Sequence, residues 1–205
     1  MTIDVDLPVV YIVLGGAGSG KSTVARKISA LTGALYLDKD VVAGALAGLA
    51  LEVLGEEPSD RESNDVYLRR VMPLEYDALF AVAGQNLALG HSVVLDAPFA
   101  AYLSDPGFLQ TAMAKARWQK VYVRVFKVTA SPQTVKRRLL ERGSARDRMK
   151  LKDWDTYWRR FGVLECSWQG IRSEEIPNEQ DNDFSALQQI LRISVPNQED
   201  ISHDY

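Results

Sequence analysis

The chain is poor in the residues that build disulfides and metal centres. It has one cysteine, Cys166, and two histidines, His91 and His203. A single thiol excludes an intramolecular disulfide framework and fits a reducing compartment. The histidines lack metal-ligand spacing and a nucleophile partner, so neither is assigned a role. There is no zinc pattern, no G-x-S-x-G and no protein-kinase H-R-D signature. An N-K-x-D element for guanine is also missing. No uninterrupted apolar stretch reaches membrane-spanning length. The segment Met1-Thr2-Ile3-Asp4-Val5-Asp6 is acidic and lacks the basic start of a signal peptide. Positive charge is not in excess. The formal net charge of -3 argues against broad binding to nucleic acid or anionic membranes. These absences predict a cytoplasmic protein without a nucleic-acid or membrane partner; a monomer or homodimer is expected, and the sequence does not choose between them.

What is present is concentrated near the start. Gly15-Gly16-Ala17-Gly18-Ser19-Gly20-Lys21-Ser22, followed by Thr23, satisfies G-x-x-x-x-G-K-[ST]. The pattern sits in the context it needs. Val9 to Leu14 is an apolar, β-branched run that reads as a buried parallel strand. Val24, Ile28 and Leu31 then recur at helical spacing, and Gly33 stands where a helix-ending glycine belongs. Glycines let the backbone curl around an anion without Cβ clashes. Loop N–H groups and the helix start supply a field for phosphate. Lys21 would reach the terminal phosphates and the Ser22 hydroxyl would bind Mg²⁺.

Further along, strands and helices alternate. Strands are predicted at Ala34–Leu37, Ser92–Leu95 and Val121–Val128, with a weak fifth near Ile171–Ile176. Helices are predicted over Val41–Leu54, Val66–Leu89 with a kink at Pro73, and from Asp105 to about Trp118. Others run from Ser131 to Gly143, through the Trp154, Tyr157, Trp158, Phe161 and Leu164 stripe, and over Asp183–Leu191. The 205 residues, 46% of them apolar, suffice for a real core. Alternation calls for right-handed βαβ units and a parallel sheet covered on both faces. Ligands of such sheets bind at the carboxyl ends of strands.

Chemistry-bearing residues fall at those ends. Asp38 and Asp40 follow the second strand. Phosphoryl transfer to a hydroxyl needs one carboxylate near the acceptor oxygen and another near Mg²⁺. The plainer alternative makes Asp38 a helix cap and Asp40 a first-turn acid. Asp96 ends Val93-Val94-Leu95, a hydrophobic run closed by aspartate, placing it near Mg²⁺ or the acceptor. Arg137, Arg138, Arg142, Arg146 and Arg148 gather around Gly143. Arginine forks match phosphate oxygens. Ser144 to Asp153 therefore reads as a mobile lid that closes over ATP through Arg142 and one of Arg146 or Arg148. Tyr67, Arg69, Arg70 and Tyr76 fit an acceptor pocket or an ordinary amphipathic helix equally well. Cys166 and the tryptophans, Trp154, Trp158 and Trp168 among them, read as core residues.

Gly15–Ser22, Leu37-Asp38-Lys39-Asp40, Val93-Val94-Leu95-Asp96 and Arg138-Leu139-Leu140-Glu141-Arg142 together resemble the small P-loop kinases. The nearest resemblance is to the AAA-type ATP-binding group related to zeta toxins, chloramphenicol phosphotransferase, gluconate kinase and shikimate kinase. It covers roughly residues 8 to 195. It implies a P-loop NTPase α/β fold, with a five-stranded parallel sheet in the order 2-3-1-4-5. It also implies Mg-ATP as donor and a small-molecule hydroxyl as acceptor. Under it, Asp40 matches the acceptor-side aspartate and Asp38 the one near Mg²⁺. Arg138 and Arg142 match the arginines entering the lid, and Ile176-Pro177-Asn178 resembles the adenine loop. The histidine-containing acceptor signature of gluconate kinases and the acceptor arginine pattern of shikimate kinases are missing.

The expected organisation is one kinase domain over 1–195, with an acceptor-binding insert at about 41–75, a lid at about 143–153 and a polar tail over 196–205. Gly55–Arg70 is the part of the insert expected to be peculiar to this protein. Lys21, Asp40 and Arg142 are the expected catalytic groups. Residues 15–23, Arg138 and Arg142 are expected to bind ATP, and Ser22, Asp38 and Asp96 to hold Mg²⁺. The alternatives are a nucleoside or nucleotide kinase and a regulatory ATP-binding protein.

Overall fold

Alternating burial along β1 (Val9–Leu14) sets the frame. Val10, Ile12 and Leu14 face one side of the sheet and Val13 the other, all fully buried. A computed structural model describes residues 7–58, 61, 64–144, 147–162, 165–180 and 184–193. After β1 come α1 (Lys21–Thr32), β2 (Leu35–Asp38), α2 (Lys39–Val53), a π-helical turn (Tyr67–Val71) and α3 (Met72–Ala88). Then follow β3 (Val93–Asp96), α4 (Phe108–Lys115), β4 (Tyr122–Thr129), α5 (Pro132–Arg142), α6 (Arg148–Lys152), α7 (Trp154–Phe161), β5 (Ser173–Pro177) and α8 (Ser185–Ile193).

The five strands form one parallel sheet in the order β2-β3-β1-β4-β5. Each face is covered, as parallel strands require. On one side, Tyr76, Leu79, Phe80, Ala83 and Leu87 of α3 pack on Val10, Ile12, Val93, Leu95 and Val125. The rings of Phe80 and Trp118 stack there at 5.0 Å. On the other, Val24, Ala25 and Ile28 of α1 and Leu187 of α8 pack on Val13, Val94, Phe126, Val128 and Ile176. Truncating one such buried aromatic to alanine costs about 3–5 kcal/mol. Among the described residues, no helix is long and apolar enough to cross a membrane.

Several boundaries differ from the sequence reading for physical reasons. The second helix starts at Lys39, because the Asp38 carboxylate accepts from the N–H groups of Asp40 and Val41 and caps it. The long helical run holds from Asp65 to Ala88, and the disturbance expected at Pro73 takes the form of the π-helical stretch Tyr67–Val71 just before it, where Met72 N–H reaches Tyr67 O. Asp105 forms a local turn, accepting from Gly107 N, so α4 begins at Phe108. The arginine-rich stretch after Gly143 contains a helix, α6, where a polar loop is expected. Trp168 is core, at 3% exposure, whereas Trp154 and Trp158 are only partly buried, against α5. Leu164, Asp183, Arg146 and the 196–205 tail lie outside the described residues.

Candidate active site

Strand order brings the carboxyl ends of β1, β2 and β3 side by side. Asp38 and Asp96 are register partners, and Asp96 also pairs in register with Val13 of β1. The loop after β1 runs directly into α1. Its shape depends on missing side chains. Gly20 has φ 86°, and a Cβ there would lie 2.0 Å from the Asn178 amide nitrogen. A Cβ on Gly15 would lie 2.5 Å from Ser19 Oγ and 3.0 Å from the Val128 carbonyl oxygen.

The loop is clamped from outside. The Arg138 guanidinium lies 3.3 Å from Ser19 O and 3.0 Å from Asn178 O. The Asn178 amide donates to Ser19 O at 2.8 Å. The Tyr157 hydroxyl donates to Ala17 O at 3.3 Å. These partners come from α5, α7 and the segment after β5, so three separate parts of the chain fix one loop. No side chain caps α1, whose N-cap is Gly20. Ser19 Oγ is buried without a hydrogen-bond partner. A preshaped cradle, an uncapped helix start and an orphaned buried hydroxyl together fit an oxyanion ligand.

Lys21 and the carboxylates lie just inside. Lys21 Nζ forms a short ion pair with Asp96 Oδ1 and sits 3.3 Å from Ser22 Oγ. The Asp96 side chain is fully buried. The Tyr36 hydroxyl lies 2.7 Å from Asp96 Oδ2 and 3.0 Å from Asp38 Oδ2. Burial, reinforced by those carboxylates, pushes the Tyr36 phenol pKa well up, so it stays a donor. Ser22, Asp38 and Asp96 are thereby brought together, an all-oxygen set suited to a hard cation. The capping reading of Asp38 holds, since Oδ1 caps α2, and its Oδ2 shares the Tyr36 hydroxyl with Asp96. Among the described residues, no cluster of three or more potential ligands would hold a metal unaided. An ion bound largely through nucleotide phosphates needs none.

Asp40 opens α2 with its side chain half exposed, 3.2 Å from Lys39 Nζ. The sequence reading missed what lies behind it. Glu75, 2% exposed, accepts from Lys39 at 2.8 Å, from the Tyr67 hydroxyl at 2.6 Å and from Arg61 at 3.4 Å. Burial and this carboxylate push the Tyr67 phenol pKa up. A signal existed, because Glu75 precedes Tyr76 and sits four residues before Leu79 on the otherwise apolar face of α3 made by Tyr76, Leu79, Phe80, Ala83 and Leu87. Tyr36 and Tyr157 offered none. Of the four residues proposed for the acceptor pocket, Tyr67 and Tyr76 turn inward, while Arg69 and Arg70 are exposed. Tyr76 accepts from Phe99 N at 2.9 Å, holding a left-handed Phe99 (φ 55°) just after Asp96.

Arg138 reaches the loop, but Arg142 does not. Its guanidinium is held by Asp147 in two hydrogen bonds of 2.8 Å. Arg148 is exposed. A cavity of about 180 Å³ lined by Gly15, Gly16, Thr129 and Trp158 borders the start of the glycine loop but touches none of Lys21, Asp38, Asp40 or Asp96. Cys166 is half-buried, and burial pushes its thiol pKa up.

The family comparison decides what this arrangement belongs to. The AAA domain family AAA_33 matches residues 10–164. The chain belongs to that family. As an AAA_33 domain it shares its fold with solved kinases. A sugar kinase from Janibacter sp. is 16% identical, with a TM-score of 0.54 over 91% of each chain. A gluconokinase from Sinorhizobium meliloti is 17% identical, with a TM-score of 0.51 over 91% of this chain and 89% of its own. The APS kinase of Mycobacterium tuberculosis, solved with AMPPNP and APS, is 17% identical, with a TM-score of 0.50 over 91% and 96%. At such identities the likeness is one of fold. No curated protein matches the sequence. The AAA_33 domain thus has the P-loop kinase fold expected from its motifs.

Proposed function

We propose that this protein transfers the γ-phosphoryl group of Mg-ATP to a hydroxyl of a small molecule. The observation that carries the reading is the meeting of Lys21, Ser22, Asp38 and Asp96 at neighbouring strand ends beside the glycine cradle, with Asp40 two residues beyond Asp38. The loop N–H groups and Gly15–Thr23 bind the phosphates. Lys21 leaves Asp96 to follow charge onto the transferring group. Ser22, Asp38 and Asp96 would supply oxygen ligands or water contacts for Mg²⁺, which would neutralise charge on the phosphates. Asp40 orients the acceptor hydroxyl and takes its proton as the new P–O bond forms. Arg138 buttresses the cradle, and Arg142 reaches the nucleotide once it exchanges Asp147 for phosphate oxygens. The lid of about 143–153 and the acceptor insert of about 41–75 belong to this proposal.

ATP turnover measured across metabolites, sugars, antibiotics and nucleosides tests it, with folded Lys21→Ala as control. The expected loss for Lys21→Ala is on the order of a hundredfold or more. Turnover at the wild-type rate would refute the reading.

A further inference from the structure

Resting on that proposal, we infer that the acceptor is a hydroxyl compound carrying a protonated amine, and not a sugar acid or a phosphorylated compound. The chain's charge is unevenly divided. Residues 38–107, which contain β2, α2, the insert, α3, β3 and the loop after it, hold twelve carboxylates and only four cations, Lys39, Arg61, Arg69 and Arg70. The whole chain is only -3, so everything outside this stretch is net positive.

The structure accounts for all four cations. Lys39 has its side chain 5% exposed and is committed to Glu75 and Asp40. Arg61 spends its guanidinium on Glu75, on Gly44 O at 3.1 Å and on Pro58 O at 3.2 Å. It thereby ties the insert to α2. Arg69 is outside, 3.5 Å from Asp65, with both side chains more than three-quarters exposed. Arg70 is likewise exposed, while Tyr67 and Val71 turn inward. From Asp96 to Gly107 there is no cation at all.

An anionic acceptor would therefore approach Asp40 and the ATP phosphates with both buried cations of this stretch, Lys39 and Arg61, already held by Glu75. Like charges brought together in a partly dry cleft repel strongly. A cationic acceptor meets the opposite field, which concentrates it in the cleft. Glu75 sets this balance, because one buried carboxylate consumes both inward-facing cations.

The test uses the wild-type protein loaded with a non-hydrolysable ATP analogue and Mg²⁺, then with ATP. Matched triplets are compared: glucosamine, glucose and gluconate; serinol, glycerol and glycerate. Calorimetry reads binding, and ADP release with product mass reads transfer. The amine of a triplet should exceed its neutral and acidic partners by about tenfold or more in affinity and in kcat/KM, and raised salt should shrink that advantage. Glu75→Gln, which releases Lys39 and Arg61, should move the preference toward the acid. The wild-type triplets decide the matter even if that variant does not fold. An amine that binds but accepts no phosphate would uphold the charge assignment and overturn phosphotransfer. Phosphorylation of the acid in preference to the amine would uphold phosphotransfer and overturn the charge assignment.

Discussion

The phosphate side and the proposed acceptor side flank the same strand ends, yet they are built in opposite ways. The phosphate side is a contiguous loop of small residues, clamped by Arg138, Asn178 and Tyr157. Its positive character comes from backbone and from one lysine. The acceptor side is assembled from residues far apart in the chain. Lys39, Arg61, Tyr67 and Glu75 meet in a buried knot behind Asp40. A motif read along the sequence finds the first kind of site. The second kind exists only after α2, the insert and α3 have folded together.

Among effects on binding and stability, the largest that would sharpen this contrast is on the clamp. Arg138→Gln removes the guanidinium that touches Ser19 O and Asn178 O. ATP affinity should fall about ten- to hundredfold, read by calorimetry, since a charge-assisted hydrogen bond is worth about 1.5–3 kcal/mol. Affinity unchanged by the substitution would make the clamp incidental.

A smaller effect is expected at Gly20. Alanine there must adopt φ 86° and place Cβ against Asn178 Nδ2. Denaturant unfolding should show a loss of about 1–3 kcal/mol. At Gly90, which has a similar φ of 85° but open space around it, Ala should cost less. Equal losses at the two glycines would show that loop contacts add nothing to backbone strain.

The smallest effect concerns Glu179, beyond β5. Its carboxylate accepts from Thr134 at 2.8 Å and from Ser131 Oγ at 2.9 Å, fastening the start of α5. These bonds, that from Thr134 first, lower its pKa below the ordinary 4.5. A depressed carboxylate pKa adds stability that is present above the ordinary value and lost as pH falls through the folded one. Because the group is exposed and screened, wild type should exceed Glu179→Gln by only about 0.5 kcal/mol near neutral pH. The gap should close below the ordinary value of 4.5. A gap that widens on acidification would contradict the assignment.

Legibility followed the same division. The parallel sheet, the glycine cradle and Asp96 at a strand end could be read in advance, because local periodicity and short motifs encode them, whereas the strand order followed only from the resemblance to the small P-loop kinases. The two-fold use of Asp38 was half legible: capping follows from sequence, but its approach to Asp96 depends on strand pairing. Glu75 went unassigned because its partners lie 8, 14 and 36 residues away. The Arg142–Asp147 pair was missed because the stretch after Gly143 has no apolar period to announce α6. Trp154 and Trp158 were read as core because a tryptophan stripe does not say which surface it covers.

The comparison turns on Asp40, the half-exposed carboxylate between the two sides. The most direct measurement is a pair of constants on Asp40→Asn, the ATP dissociation constant by calorimetry and the rate of γ-phosphoryl transfer in a single turnover. Asparagine keeps the shape and removes the base. The account predicts unchanged ATP affinity and transfer slowed roughly a hundred- to ten-thousandfold. Transfer at the wild-type rate, or a loss confined to ATP binding, would contradict it.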